Sequence, residues 1–480
     1  MNEEKYRILR IQFSKNKITF LKSDTSSKPA DLNTDIIRLE LNVSRIFHKA
    51  LNKTRVEGIF EKNDFEFFGG ILFNLLCLNN QQDARLFVYN EFNYVNRAPN
   101  LRGLIILEFQ DDVNALAVLP WEYMQVVVNK NENIEIEPFY VSAKRDRKFD
   151  LVRFVEDKSS DSSKDYSPDD SSKLTIVNVI SCPRDQLVDK DKQINSLNKL
   201  IREFTGKSNK PMLEVYTMED PDESTFTERL KEIVDLIDNP YILHFFGHAR
   251  MNREEPEIAF VKPRGELAQW ISVDKFENFF HQDHGFKLPL VAVFQACESG
   301  QINSHGEGIG INLIGKHIPF VIAMQNEVTE DTSVAFFEEF YRALLSGENI
   351  FKAVTIGRSF LGCEYLKTDP NSFEEQYNNN SFGTPVIYSS TVEPVRFFPK
   401  KEPEAITISK KLKCATCGKI YPNDTYTKCL IMSCPGPLIP MDQDITSVKS
   451  DKGSSPEQNI TSVKSGTVSS LDQNARATNP

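Results

Sequence analysis

Five short apolar runs in the middle of the chain constrain its fold more than any other feature. Runs of this length and composition are typical of largely buried strands. The stretches between them have helical periodicity, and Phe226, Leu230 and Ile233, for example, recur on one face of a predicted helix. Strands that alternate with helices predict a parallel sheet covered by helices on both sides. The five runs are "LTIVNVI" (174–180), "MLEVYTM" (212–218), "YILHFFG" (241–247), "LVAVFQA" (290–296) and "FVIAM" (320–324).

Two of these runs lead into residues with useful chemistry. "YILHFFGHAR" places His248, and "LVAVFQACESG" places Cys297, just beyond a predicted strand. The carboxyl ends of neighbouring parallel strands meet at one edge of a sheet, where reacting groups gather. An imidazole beside a thiol promotes formation of the nucleophilic thiolate. Taken alone, a cysteine at a strand end is more often a packing residue, so both interpretations of Cys297 stay open at this point.

A second cysteine cluster lies near the C-terminal end, in "CATCGKIYPNDTYTKCLIMSC". Its cysteines form two pairs, with two and four residues inside the pairs and eleven between them. This spacing is typical of a tetrahedral Zn²⁺ site and resembles a zinc knuckle or ribbon, whose folding energy comes mostly from the metal. The alternative is a reduced surface cluster without metal. The predicted ligands of a structural Zn²⁺ are Cys414, Cys417, Cys429 and Cys434.

Five short sequence motifs occur in an order that is known from one protein family. They are "LPWEYM" (119–124), "HFFGHA" (244–249), "QACESG" (295–300), "FVIAMQ" (320–325) and "FFEEFYRALLSG" (336–347). With His248 placed 49 residues before Cys297, they make roughly residues 35 to 366 resemble the CHAT family of caspase-like cysteine proteases. The resemblance implies a caspase-like α/β fold with a mostly parallel sheet, preceded by a degenerate caspase-like half. It also implies a dyad of His248 and Cys297, and structural roles for Pro120, Trp121 and Glu122.

Peptide hydrolysis by such a dyad needs no cofactor. Cys297 attacks the peptide carbonyl, His248 protonates the leaving amine, and water hydrolyses the acyl-enzyme. The backbone N–H groups of Cys297 and Ala249 are the predicted oxyanion donors. Ala249 stands where the family usually has glycine, so a positive φ at this position would be strained. Gln295 is predicted to contact the substrate side chain before the scissile bond, without a preference between acidic and basic side chains.

The composition limits the partners and the compartment. A net charge of −11 disfavours nucleic acid and anionic lipid, so a protein substrate and an activating partner protein are expected. The longest apolar stretch, at 67–78, is well short of the roughly 20 residues of a membrane-spanning helix. The acidic N-terminus lacks the features of a secretory signal, and eight cysteines are too few for a disulfide scaffold. These features predict a cytoplasmic protein and leave its oligomeric state open.

Changes in composition predict the domain boundaries. The segment "DKSSDSSKDYSPDDSSK" is rich in serine and aspartate and has no apolar periodicity, which favours a flexible linker. Nothing in the residues before it assembles an acid, a base and a nucleophile, so that half is predicted to be non-catalytic. The predicted boundaries are 1–156 (non-catalytic half), 157–173 (linker), 174–400 (catalytic half), 408–440 (zinc module) and 441–480 (disordered tail).

Two functions from different classes fit the sequence. The first is a cysteine endopeptidase with the dyad of His248 and Cys297, kept inactive until a partner or signal orders its cleft. The second is a catalytically silent scaffold with the same fold, which recruits partners through its zinc module. Retention of both His248 and Cys297 favours the endopeptidase, because a scaffold needs neither residue.

Overall fold

The chain forms two compact units, Met1–Lys401 and Glu402–Pro480. The computed structural model describes residues 5–14, 17–24, 34–40, 62–77, 82–110, 114–127, 139–143, 146, 148–156, 173–205, 213–253, 255–263, 267–281, 285, 287–303, 306–364, 379–398, 412–414, 420–421 and 438–440. The predicted tail, and the predicted linker apart from Lys173, lie outside these residues.

The first half of the larger unit, up to residue 156, is mostly sheet with helices between the strands. Its strands are β1 (Lys5–Ser14), β2 (Lys17–Asp24), β3 (Thr34–Glu40), β4 (Leu101–Phe109), β5 (Gln125–Val126), β6 (Phe139–Tyr140) and β7 (Phe149–Phe154). Its helices are α1 (Lys62–Cys77), α2 (Gln82–Arg97) and α3 (Asn114–Ala117), with 3-10 turns at Trp121–Tyr123 and Val141–Ala143.

The second half, from residue 173 to residue 398, alternates strands and helices as the sequence predicts. Its strands are β8 (Leu174–Ile180), β9 (Leu213–Glu219), β10 (Tyr241–Phe246), β11 (Ala249–Asn252), β12 (Glu255–Val261), β13 (Ala268–Ser272), β14 (Val291–Gln295), β15 (Phe320–Met324) and β16 (Pro385–Ser389). Its helices are α4 (Lys190–Thr205), α5 (Phe226–Val234), α6 (Val273–Asn278), α7 (Ile309–Ile314), α8 (Glu330–Leu345) and α9 (Ile350–Ser359).

Within the described residues, both halves share one sheet of eleven strands. The strand order is β3-β2-β1-β4-β7-β16-β15-β14-β10-β8-β9. From β15 to β9 every pairing is parallel, and so is every pairing from β1 to β16. The two parallel blocks meet where β16 pairs antiparallel with β15. The sequence analysis missed β16, which joins the halves and makes the predicted division a boundary within one sheet.

Strand alternation divides the core into two layers, one on each face of the sheet. On β14, Val291 and Val293 belong to the apolar layer that contains residues of α8 and α9. Ala292 and Phe294 belong to the opposite layer, which contains residues of α5, α6 and α7. Burial on both faces explains why the strands read as continuous apolar runs. The predicted α/β class, with a mostly parallel sheet flanked by helices, is therefore confirmed.

The smaller unit contains three short strands, β17 (Leu412–Cys414), β18 (Ile420–Tyr421) and β19 (Leu438–Pro440). They form an antiparallel sheet in the order β18-β17-β19. The side chains of the four predicted zinc ligands lie outside the described residues. Among the helices that the structure describes, none is both long and apolar enough to cross a membrane.

Candidate active site

Two adjacent parallel strands lead into the residues of the predicted dyad. β10 pairs with β14 so that Phe246 lies opposite Gln295, and Gly247 N donates to the Gln295 carbonyl at 3.3 Å. His248 lies two residues after Phe246 and Cys297 two residues after Gln295, so both follow the carboxyl ends of adjacent strands. A Cβ on Gly247 would lie 2.9 Å from the carbonyl oxygen of Ser181, so the close approach of the chain after β8 requires glycine here.

His248 is half-buried and carries an unsatisfied ring nitrogen. Its Nε2 is buried, and no described residue forms a hydrogen bond with it. A buried polar atom without a partner is uncommon in native proteins and calls for an explanation such as a catalytic role. The imidazole therefore has a nitrogen that is not engaged in holding the fold together.

Ala249 begins β11 with an extended backbone and is free of the strain considered from its sequence. Among the described residues, positive φ outside glycine occurs only at Asp220, Arg253, Glu298 and His317. Ala259 N donates to the His248 carbonyl at 3.0 Å, which makes that pair a hydrogen-bonded pair of the β11–β12 ladder. Because such pairs alternate in antiparallel sheets, the N–H of Ala249 points away from β12.

Cys297 is half-buried in the turn that follows β14. Its Sγ donates to the carbonyl of Val328 at 3.6 Å, and it forms no hydrogen bond with His248 Nε2. Burial raises the pKa of the thiol, and the carboxylates of Glu327 and Glu298 raise it further. In this arrangement the group is a thiol, not a thiolate.

The turn that carries Cys297 is anchored to the neighbouring strand by Ser299 and Gly300. Ser299 is fully buried; its Oγ donates to the Ala296 carbonyl at 2.7 Å and accepts from Met324 N at 3.1 Å. Gly300 N donates to the Met324 carbonyl at 2.8 Å. A Cβ on Gly300 would lie 2.5 Å from Val386 Cγ1, so this contact also requires glycine. Ser299 and Gly300, the last two residues of "QACESG", thus hold the turn in place.

Gln295 lies in the core, away from the turn, with only 3% of its surface exposed. Its Oε1 is 3.1 Å from His244 Nε2, and its Nε2 donates to Ser333 Oγ at 2.9 Å. The predicted contact of Gln295 with a substrate side chain is therefore without geometric support, because strand alternation directs this side chain towards α8. His244 is held by its contacts in the core: its Nδ1 is 2.9 Å from Tyr341 Oη, and burial lowers its pKa to about 3.

Glu122, from the word "LPWE", forms a buried ion network that joins the two halves. Its carboxylate binds Arg153 at 2.6 Å and lies 3.8 Å from Arg358. Gln325 donates to Glu122 at 2.8 Å and accepts from Arg153 at 2.9 Å. Burial disfavours ionisation of Glu122, but both arginines hold its pKa below the usual value. The structural role of Glu122 implied by the resemblance agrees with these contacts.

The structure describes the remaining cysteines only in part. Cys182 is half-buried just after β8, where its Sγ donates to the Val188 carbonyl at 3.4 Å. The side chains of Cys77 and Cys363 lie outside the described residues. Within the part of the chain that the structure describes, no group of three or more His, Cys, Asp or Glu residues is arranged to hold a metal.

Sequence reasoning missed several residues around the site. The Val328 carbonyl carries no sequence signal, because any residue supplies the same backbone atom. Arg153 lies 31 residues after Glu122, and only the fold shows that they pair. Glu298 directly follows Cys297 in the sequence, but its positive φ of 58° could not be predicted from residue type.

Several solved structures match the chain at low identity and with low TM-scores. A chain from the Saccharomyces cerevisiae separase–securin complex matches with 10% identity and a TM-score of 0.39, covering 80% of this chain and 30% of that one. The Drosophila initiator caspase Dronc matches with 10% identity and a TM-score of 0.28, covering 47% and 80%. Caspase-1 from Spodoptera frugiperda matches with 11% identity and a TM-score of 0.32, covering 49% and 94%. This chain thus spans less than a third of the separase chain that it matches.

Comparison with curated proteins found no match. The model of the CHAT domain family matches residues 111–358, which is more than half of the 480-residue chain. The matched region contains the words "LPWE", "HFFGHA" and "QACESG", on which the resemblance was noted, and it includes β7 of the first half. The chain belongs to the CHAT domain family.

Proposed function

We propose that this protein is a cysteine endopeptidase that cleaves a protein substrate with Cys297 as nucleophile and His248 as base. The pairing of β10 with β14 supports the proposal, because His248 and Cys297 each follow the carboxyl end of one of these two adjacent strands by two residues. The reactive atoms of both side chains form few contacts with the described residues. His248 Nε2 has no hydrogen-bond partner among them, and Cys297 Sγ has one contact with a carbonyl, at 3.6 Å. Catalysis by this dyad requires no cofactor.

In the proposed reaction, the proton of Cys297 passes to His248 as the sulfur bonds to the peptide carbonyl carbon. His248 then gives that proton to the leaving amine as the C–N bond breaks, and water hydrolyses the thioester. The N–H groups of Cys297 and Ala249 donate to the oxyanion. One observation supports the second donor: the Ala249 N–H points away from β12.

The resting contacts of the thiol support activation by a partner or signal. Cys297 donates to the Val328 carbonyl, and burial keeps its pKa high. Val328 lies three residues after Gln325, whose side chain is held by Glu122 of the first half. A partner that shifts residues 326–328 would release the thiol towards His248. In the proposed cellular setting, the cytoplasm, the thiol stays reduced.

Cleavage of a diverse peptide library by the full-length protein tests this function. We expect cleavage to fall at least about a thousandfold in Cys297→Ala and in His248→Ala. Cys182→Ala is the matched control, because it removes the other half-buried thiol at a strand end and should leave cleavage unchanged. Cleavage that persists in folded Cys297→Ala would rule the mechanism out.

A catalytically silent scaffold is the second candidate, and one observation favours it. The Cys297 thiol forms its hydrogen bond with the Val328 carbonyl and not with the His248 imidazole, as expected for a purely structural cysteine. A library left intact by folded wild-type protein under activating conditions, together with partner binding that survives Cys297→Ala, would support the scaffold over the peptidase.

We also propose that the smaller unit binds one structural Zn²⁺ through Cys414, Cys417, Cys429 and Cys434. The antiparallel sheet that includes Cys414 at the end of β17 supports a small metal-stabilised module. Metal analysis of the purified full-length protein should give one equivalent of zinc, which Cys414→Ser combined with Cys417→Ser removes. Zinc content that does not change in the double variant would contradict this site.

A further inference from the structure

Glu298, directly after the nucleophile, has an unusual backbone conformation. Its φ of 58° lies in the left-handed region, which costs a residue with a Cβ about 1 kcal/mol or more. Such strain persists only where surrounding contacts hold it, and it is concentrated at functional sites. The next question is which contact holds Glu298 in this conformation.

The carboxylate of Glu298 reaches across to the strand that follows the base. Its Oε2 accepts from the N–H of Met251 at 3.0 Å, and Met251 lies three residues after His248. In the β11–β12 ladder, Met251 has the same parity as Ala249, so both N–H groups point away from β12. The one on Met251 meets the turn that carries Cys297. The proposed oxyanion donor on Ala249 therefore faces the same turn.

We propose that Glu298 is a positioning residue, whose hydrogen bond to Met251 N–H sets the placement of Cys297 relative to His248 and Ala249. The inference rests on the proposed peptidase function and explains how that site is held. It completes the anchoring of the turn: Ser299 and Gly300 fix one side to β15, and Glu298 fixes the other side to β11.

Two other roles for Glu298 fit the contacts less well. As the third member of a triad it would have to orient His248, but its carboxylate binds Met251 N–H, and His248 Nε2 has no partner among the described residues. As an electrostatic residue it would have to favour the thiolate, but its negative charge raises the pKa of Cys297, as does burial. The charge opposes nucleophile formation, so the benefit of Glu298 lies in its geometry.

Three substitutions separate the hydrogen bond from the charge and from the backbone conformation. Glu298→Gln keeps an acceptor for Met251 N–H, and we expect kcat/KM within about threefold of wild type. Glu298→Ala removes the acceptor, and we expect a loss of about tenfold to a hundredfold, as for a small misplacement of reacting groups. Glu298→Gly accepts the positive φ without strain but should not restore cleavage. Full activity of the glycine variant would overturn the proposal.

A second measurement does not depend on proteolysis. The carboxylates that act on the Cys297 thiol are those of Glu327 and Glu298. The rate of alkylation by iodoacetamide, followed at Cys297 by peptide mass spectrometry, reports on coupling of this thiol to His248. Alkylation of Cys182 in the same sample is the internal reference. We expect His248→Ala to slow alkylation of Cys297 about tenfold in wild type and in Glu298→Gln, but less than about twofold in Glu298→Ala.

The possible outcomes distinguish the two proposals. If His248→Ala slows alkylation equally in wild type and in Glu298→Ala, Glu298 does not position the pair, while the dyad stands. If His248→Ala has no effect even where Glu298 is present, the dyad itself is refuted, and the positioning role with it.

Discussion

The buried carboxylates of the first half and the polar groups at two strand ends of the second half are paired differently. In the first half, Asp150 binds Arg102 at 2.6 Å, and Glu122 binds Arg153 at 2.6 Å. At the strand ends of the second half, His248 Nε2 has no partner among the described residues, and Cys297 Sγ has one long contact. Stability favours buried polar groups that are fully hydrogen-bonded. A reacting side chain, in contrast, needs an atom that is not already occupied by a structural hydrogen bond.

An unpartnered atom alone does not mark a site. Asn178 is fully buried in β8, and neither of its side-chain amide atoms has a partner among the described residues. The contrast between the halves therefore rests on position as well as pairing. His248 and Cys297 stand beyond the ends of adjacent strands, while Asn178 lies within one.

The largest expected effect breaks the paired network of the first half. Glu122→Gln leaves the guanidinium groups of Arg153 and Arg358 buried without their carboxylate, and should lower the free energy of unfolding by about 3 to 5 kcal/mol. Chemical denaturation measures this change. Glu219→Gln is the matched control, because it breaks an exposed ion pair with Lys190 and should cost less than about 1 kcal/mol. Equal losses in the two variants would show that burial of the Glu122 network adds nothing.

The dependence of stability on pH compares a buried group of each half, His244 and Glu122, whose pKa values are both lowered. His244 has a folded pKa of about 3, below its ordinary value, so the unfolded chain binds its proton first. Stability should fall as the pH drops from about 6.5 towards 3, with a slope of up to about 1.4 kcal/mol per pH unit from this group. Glu122, whose pKa is also lowered, contributes stability above its usual pKa that is lost only at lower pH.

Variants separate these two contributions in denaturation experiments at a series of pH values. His244→Gln should flatten the stability profile between pH 6.5 and 5, where Glu122→Gln should run parallel to wild type. A His244→Gln profile that is parallel to wild type in this window would show that His244 is not held neutral in the folded protein.

A smaller effect is expected where the catalytic turn is anchored. Ser299→Ala loses the contact with Met324 N and should destabilise the protein by about 1 to 2 kcal/mol, because that N–H stays buried. Cleavage should fall too, since the turn carries Cys297. Ser346→Ala is the control: its hydroxyl also donates to a backbone carbonyl, but it is exposed and should change little. If both serines are equivalent in denaturation and in cleavage, Ser299 does not anchor the turn.

The sequence was sufficient for several strands of the parallel sheet but not for the contacts around them. β8, β10, β14 and β15 are short, continuous apolar runs, so local composition identifies them. β16 is equally buried but follows a long stretch without periodicity, and its two pairing partners come from different halves. Contacts such as Glu122 with Arg153 depend on tertiary packing, and the orientation of Gln295 depends on which face of β14 it occupies. The hydrogen bond from Cys297 Sγ to the Val328 carbonyl involves a backbone atom, so the type of residue at position 328 does not predict it.

Labelling of the full-length protein with peptidyl acyloxymethyl ketone probes, with the residue before the reactive group varied, tests the central claim most directly. Such probes are attacked by a thiol that an imidazole assists, and peptide mass spectrometry identifies the modified residue. If Cys297 and His248 form the dyad, Cys297 alone is labelled, and His248→Ala slows its labelling at least about a hundredfold. Labelling of Cys182 instead, or equal rates in wild type and His248→Ala, would contradict the account.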